Sequence, residues 1–208
     1  MALSQSLLDE LWDFSDPVAS EARLRDAAAN ESDAAARAEL LTQVARALGL
    51  QERYADGDAV LDGIDTGDSA VDVRVALERG RLRNSAGDPA AAVPLFERAA
   101  QAAASARLVF LQVDALHMLA IADTARAGEW TTAALAVLDG VDDPRTLRWR
   151  VGLHNNAGWA LFDAGRFGDA VAAFEASRDA ALRFGTAQQV EWADEAIADA
   201  RAAAGPQA

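Results

Sequence analysis

The chain contains no cysteine and no lysine. The first absence excludes disulfides, thiolate catalysis and cysteine-ligated metals. The second makes arginine the source of all 19 basic side chains, a bias that, with abundant alanine, fits a GC-rich bacterial genome. Proline occurs five times and aromatics make up 6% of a chain that is 51% hydrophobic, so alanine and leucine must do most of the packing. Both are strong helix formers, and the scarcity of breakers points the same way. No uninterrupted apolar run reaches the ~18 residues of a membrane helix. The amino terminus lacks a basic region followed by an apolar run, so no signal peptide is expected. These absences together lead to the expectation of a soluble, all-α protein in the cytoplasm, with no membrane partner. No P-loop, no GxGxxG after a strand and no GxSxG is present, so neither catalysis nor a cofactor or metal is expected.

What the chain does have is negative charge, −14 overall and spread along its length. Such a surface repels nucleic acid at long range. Arg148, Trp149 and Arg150 form a small basic-aromatic spot, but among so many acids they read better as packing at a helix start than as a nucleic-acid contact.

The second feature is an internal repeat. "AGRFGDAVAAF" (164–174) has looser copies in "FSDPVASEARL" (14–24), "QERYADGDAVL" (51–61), "AGDPAAAVPLF" (86–96) and "AGEWTTAALAV" (127–137), spaced about 37, 35, 41 and 37 residues apart. The seventh position is small in all five: Ser20, Gly57, Ala92, Ala133 and Ala170. The eleventh is large and apolar: Leu24, Leu61, Phe96, Val137 and Phe174. A small residue lets two helices approach, and a large one a turn later fills the adjoining space. Gly at the second position of the last three copies permits the chain to reverse, and Pro17 and Pro89 suit a first helical turn. Each copy therefore reads as a helix, a tight turn and a second helix.

These residues resemble the tetratricopeptide repeat family. Gly158, Gly165, Phe167, Ala170 and Phe174 follow its pattern, as do Gly80, Gly87, Ala92, Phe96 and Ala99; Leu8 and Ile121 stand where a small residue is expected. The stretches "LWDFSDPVASEARLR", "DALHMLAIAD" and "HNNAGWALFDAGRF" are similar to a bacterial group within the family. The resemblance implies a right-handed α-α superhelix, a solenoid of about five helix-turn-helix repeats plus a C-terminal capping helix. The repeats fall near 1–30, 33–65, 68–105, 107–141 and 144–185, and the cap at 187–203, as a single domain over 1–208. Long single helices are expected at 107–127 and 144–164, and a shorter one at 130–139. Asp142, Asp143 and Pro144 mark a helix start, and Gly185 a helix end.

The family's first helices line the face that binds a protein or peptide, which makes their outward positions the candidate site. Projecting the register gathers Gln5, Asp9 and Trp12 from the first copy, and Thr42 and Arg46 from the second. Arg74, Arg81 and Asn84 come from the third copy, Met118 and Arg126 from the fourth, and Asn155, Trp159 and Phe162 from the last. The core of that set is Trp12, Arg46, Arg74, Arg81, Asn84, Arg126, Asn155 and Trp159. Four arginines against one acid would suit an acidic or carboxylate-ended segment, with the tryptophans as anchors. The same arginines read slightly better as partners of neighbouring Asp and Glu on a solvated helical surface. On the groove reading, Arg81→Ala weakens binding and leaves stability nearly intact.

Asn155 and Asn156 are poor helix residues, and either satisfy a neighbouring loop or grip an extended backbone. His117 and His154 occupy equivalent positions of consecutive first helices. Imidazoles wedged between helices fit that placement better than a metal or hydrolytic site. The lysine-rich clamp of the family's chaperone adaptors is absent. A non-catalytic protein-binding scaffold is the expectation; a self-associating module, forming a homo-oligomer, is the alternative.

Overall fold

The computed structural model describes residues 5–65 and 67–205, with side chains from Leu7 onward. The chain divides into two compact units, Met1–Ala125 and Arg126–Ala208. The first holds α1 (Gln5–Leu11), α2 (Pro17–Asn30), α3 (Ala34–Leu50), α4 (Tyr54–Asp62), α5 (Ser69–Ser85), α6 (Pro89–Ser105) and α7 (Val109–Ala122). The second holds α8 (Ala127–Val137), α9 (Pro144–Leu147), α10 (Trp149–Asp163), α11 (Phe167–Phe184) and α12 (Ala187–Ala204). A 3-10 turn, Thr124–Arg126, lies between α7 and α8 in sequence. The fold is all-α, with helices packed sequentially in antiparallel pairs. In the first unit α3 touches α2, α4 and α5, while α5 touches α6 and α7; in the second α11 lies against both α10 and α12. Among the described residues no helix is long and apolar enough to cross a membrane.

The sequence dictates where these helices begin. Asp16, Asp33, Asp68, Asp88 and Asp143 each cap a helix by accepting backbone N–H groups of its first turn. Part of the spread-out negative charge thus serves the positive ends of helices. Pro17, Pro89 and Pro144 follow three of these caps, in the first turn where no N–H is missed. Thr186 and Gln189 form a reciprocal capping box on α12, and Gly185 ends α11.

Four of the reversals share one turn. At Gly87 the N–H donates to Asn84 O, and the next N–H, of Asp88, reaches back to Arg83 O, both at 3.0 Å. The same pair of bonds recurs at Gly165, Glu52 and Arg107. This geometry satisfies the last carbonyls of a helix and needs a left-handed residue at its corner. The φ angles there are 83° and 71° for the glycines, 61° for Glu52 and 56° for Arg107.

The small-large pairs meet in the core. Ser20, Ala92, Ala170, Leu24, Phe96 and Phe174 are fully buried, and Gly57 and Leu61 lie with them. A Cβ on Gly80 would overlap the ring of Phe96, and one on Gly158 the ring of Phe174. Each pair seats a phenylalanine on the bare backbone of the preceding helix, where burial of such a ring contributes roughly 1.5–3 kcal/mol. The fourth copy is shifted. Ala134 and Leu138 are the buried residues there, while Ala133 and Val137 are half-buried. Gly128, expected at a turn, lies inside α8. The chain leaves α7 at Ala122 and turns through Thr124–Arg126, so an alignment on Ala127 and Gly128 runs one residue early. The helix expected at 144–164 is broken at Arg148, which ends α9 and begins α10.

Candidate functional site

In the first unit α3, α5 and α7 place charged side chains in one buried layer. Glu39, Gln43 and Arg46 share a face of α3; Arg74, Glu78 and Arg81 share the matching face of α5, at the same four- and three-residue steps. Arg74 Nε donates to Glu39 Oε2 at 2.9 Å, across equivalent positions of neighbouring repeats. Arg81 donates to Glu78 Oε1 at 2.5 Å and also to Asp114 Oδ1 on α7. Glu39, Arg74, Glu78 and Asp114 are all buried. Burial alone would raise the Asp114 carboxyl, but Arg81 and then Arg46 hold it below the ordinary carboxylate range. Burial alone would lower Arg81, yet Asp114 and Glu78 hold it above its ordinary value.

This layer corrects the charge count behind the groove reading. Arg74 and Arg81 are each matched by buried acids on their own or an adjacent first helix, which the projection of outward positions missed. The signal was available in the 35-residue offset of Glu39 and Arg74 and in an acid, Glu78, placed amid apolar spacing. The expected tolerance of Arg81→Ala is corrected with it. Removing Arg81 leaves two buried carboxylates without their cation, a change that costs about 3–5 kcal/mol.

Arg46 differs from the other two. Its guanidinium makes no hydrogen bond or ion pair among the described residues and sits 5.7 Å from the Trp12 ring centre and 5.3 Å from that of Phe14. Those two rings stack at 4.7 Å, and Trp12 Nε1 donates to Gln43 Oε1 at 3.1 Å. Burial, with Arg81 nearby, pushes the Arg46 guanidinium down, against the pull of Glu78 and Asp114. A cavity of about 130 Å³ adjoins it, walled by Leu50, Leu82, Ser85 and Met118. Asn84 is half-buried on the last turn of α5, where its carbonyl serves the Gly87 turn. Thr42 is buried and donates to Glu39 O at 2.6 Å, so it does not face outward. Asp9 is exposed, and the side chain of Gln5 lies outside the described residues.

The second unit holds the other candidates. Arg126 is exposed, 4.4 Å from the centre of the Trp130 ring. A hollow of about 380 Å³ opens between α10 and α12, with Ser177 of α11 in its wall. Val151, Asn155 and Trp159 line one side, at the four-residue spacing that keeps them on a single face of α10. Gln189, Trp192, Glu195 and Asp199 line the other, along one face of α12. Trp159 is 38% exposed and Trp192 57%, whereas Ala193 and Ile197 on the opposite face of α12 are buried. The Trp159 ring meets Phe162 and Phe174 edge-on, at 5.4 and 5.1 Å. Asn155 has no side-chain hydrogen bond among the described residues, so no neighbouring loop claims its amide. The structure thus brings Asn155 and Trp159 together and adds Trp192, Glu195 and Asp199. Their i, i+3, i+7 spacing is legible in the sequence once α12 is treated as a wall as well as a cap.

His117 lies on α7 in the first unit and His154 on α10 in the second. Burial lowers the affinity of both for a proton, opposed at His117 by Asp114 and reinforced at His154 by Arg150. Arg150 pairs with Asp139 at 3.0 Å, and Trp149 is half-buried at the start of α10. Among the described residues no three histidine or acidic side chains converge as metal ligands do.

No protein-family model matches the chain, and no curated protein matches it in sequence. Among solved structures it is similar to BtubC (BKLC) from P. vanneervenii. The TM-score is 0.54 at 14% sequence identity, covering 97% of this chain and 94% of that one. At this identity the likeness shows the fold: an all-helical, repeat-like architecture of helices packed sequentially in antiparallel pairs.

Proposed function

We propose that the chain is a non-catalytic scaffold that binds a protein or peptide segment. A tetratricopeptide-like fold implies protein binding in general and is typically non-catalytic. The observation that carries the reading is the hollow between α10 and α12, where two exposed indoles and the Asn155 amide share one opening. Indoles supply large contact area at small entropic cost, and an amide offers both a donor and an acceptor to an extended backbone. Affinity capture from the native host with mass spectrometry tests it, using wild type beside Trp159→Ala and Trp192→Ala. A partner held by wild type and lost from both variants supports the hollow; partners held equally by all three refute it.

A second reading is favoured by Arg46. Its charge, unmatched by any hydrogen-bonded carboxylate and set beside Trp12 and a small cavity, suits the carboxylate of an acidic or carboxylate-ended segment. Arg46→Gln would abolish capture of such a segment, while an unchanged affinity would exclude this second contact.

A further inference from the structure

The hollow of the second unit differs in sign from the arginine layer of the first. Its ionisable lining residues are Glu195 and Asp199, and no arginine lines it. The remaining acids of α12 are engaged elsewhere: Asp194 accepts from Arg178 of α11 at 2.5 Å, and Glu191 from Gln188 at 3.1 Å. Arg201 is likewise turned to α11, pairing with Glu175 at 2.7 Å. Glu195 and Asp199 have no ion pair or side-chain hydrogen bond among the described residues, and both are exposed. They stand one helical turn apart, on the same side of α12 as Trp192. Across the opening is Trp159, its ring edge-packed on Phe162 and Phe174 with part of its surface open to the hollow.

Two indoles and two unmatched carboxylates line one opening, a combination suited to positive charge. Each indole attracts a cation through its ring quadrupole, and the carboxylates give a guanidinium or ammonium its hydrogen-bond acceptors. We propose that this hollow receives an arginine or lysine side chain of a partner protein's extended segment, with Asn155 and Gln189 holding the adjacent backbone. The proposal deepens the scaffold reading and rests on it. It commits to a cationic protein segment because an anionic one would meet two bare carboxylates without a compensating cation, which disfavours it.

The test uses the full chain labelled with nitrogen-15 and two probes. One is an N-acetylated, C-amidated pentapeptide with arginine at its centre; the other is identical but for glutamate there. The arginine peptide should shift the indole N–H resonances of Trp159 and Trp192 saturably, and the glutamate peptide should leave them in place. In the Glu195→Gln, Asp199→Asn double variant the arginine peptide should bind about tenfold more weakly, the scale of lost charge-assisted contacts. These replacements are near-isosteric at exposed positions, and retained dispersion of the remaining resonances verifies the fold. Unaltered affinity in the double variant overturns the proposal. Equal or stronger shifts from the glutamate peptide also overturn it, while leaving the hollow as a docking site. Indoles unmoved by either peptide sink both the proposal and the hollow as the scaffold's contact surface.

Discussion

Glu52 and Arg107 hold the left-handed corner that glycine holds at Gly87 and Gly165, with the same two backbone bonds. A side chain there is strained by its own Cβ, at a cost of roughly 1–2 kcal/mol. Glu52→Gly should therefore raise stability by about 0.5–1 kcal/mol, the relief being partly offset by extra freedom in the unfolded chain. A urea midpoint at or below wild type would contradict this. The histidines carry a second residue-scale consequence. Burial lowers the folded-state pKa of both, so below the ordinary histidine value of about 6.5 the unfolded chain binds protons first. Stability should hold above that pH and fall below it, and a His117→Gln, His154→Gln double variant should show a shallower fall. Urea midpoints between about pH 7.5 and 5.5 measure the slope, and identical slopes in both proteins would rule out the imidazoles as its cause.

At the scale of single helices, α6 contains Pro94 on its exposed side. It donates no N–H toward Ala90 O and crowds that carbonyl. Pro94→Ala should stabilise by about 1–3 kcal/mol after the unfolded chain's gain in freedom, and a lower thermal midpoint would refute the local account. Helix positions are readable because caps and small-large spacing are local: Asp142, Asp143 and Pro144, three consecutive residues, announce the start of α9. The Thr146 hydroxyl and N–H on Asp143 hold that carboxyl below its usual range, as a cap should. The fourth repeat was misaligned because its reversal is a 3-10 turn, and an Ala-Gly pair inside α8 mimicked the glycine turns used elsewhere. The break at Arg148 likewise leaves no proline or glycine to announce it.

Across the whole molecule, each unit owns separate buried clusters. Leu24, Leu40 and Leu48 anchor one in the first unit; Ala170, Phe174 and Ile197 anchor one in the second. Tryptophan is divided unevenly, with Trp12 in the first unit and Trp130, Trp149, Trp159 and Trp192 in the second. Arg81→Ala removes the cation shared by Glu78 and Asp114 in the first unit's buried layer, so it should lower the unfolding midpoint followed by helical dichroism more than the one followed by tryptophan fluorescence. The loss, about 3–5 kcal/mol for breaking a buried pair, should be recovered in part by Arg81→Met with Glu78→Leu and Asp114→Leu. Equal midpoint shifts by both probes would contradict a loss centred on the first unit. The all-α class, the repeating helix pairs, the small and large positions of the repeat and the helix start at Asp143 and Pro144 are all legible in the amino-acid order alone. All of these follow from hydrophobic spacing and backbone stereochemistry within a few tens of residues. Which arginines meet buried acids, and which acids of α12 are left bare, is settled by packing between helices. Charge pairing depends on side chains from separate helices reaching the same few ångströms, and no periodicity within one helix encodes that meeting.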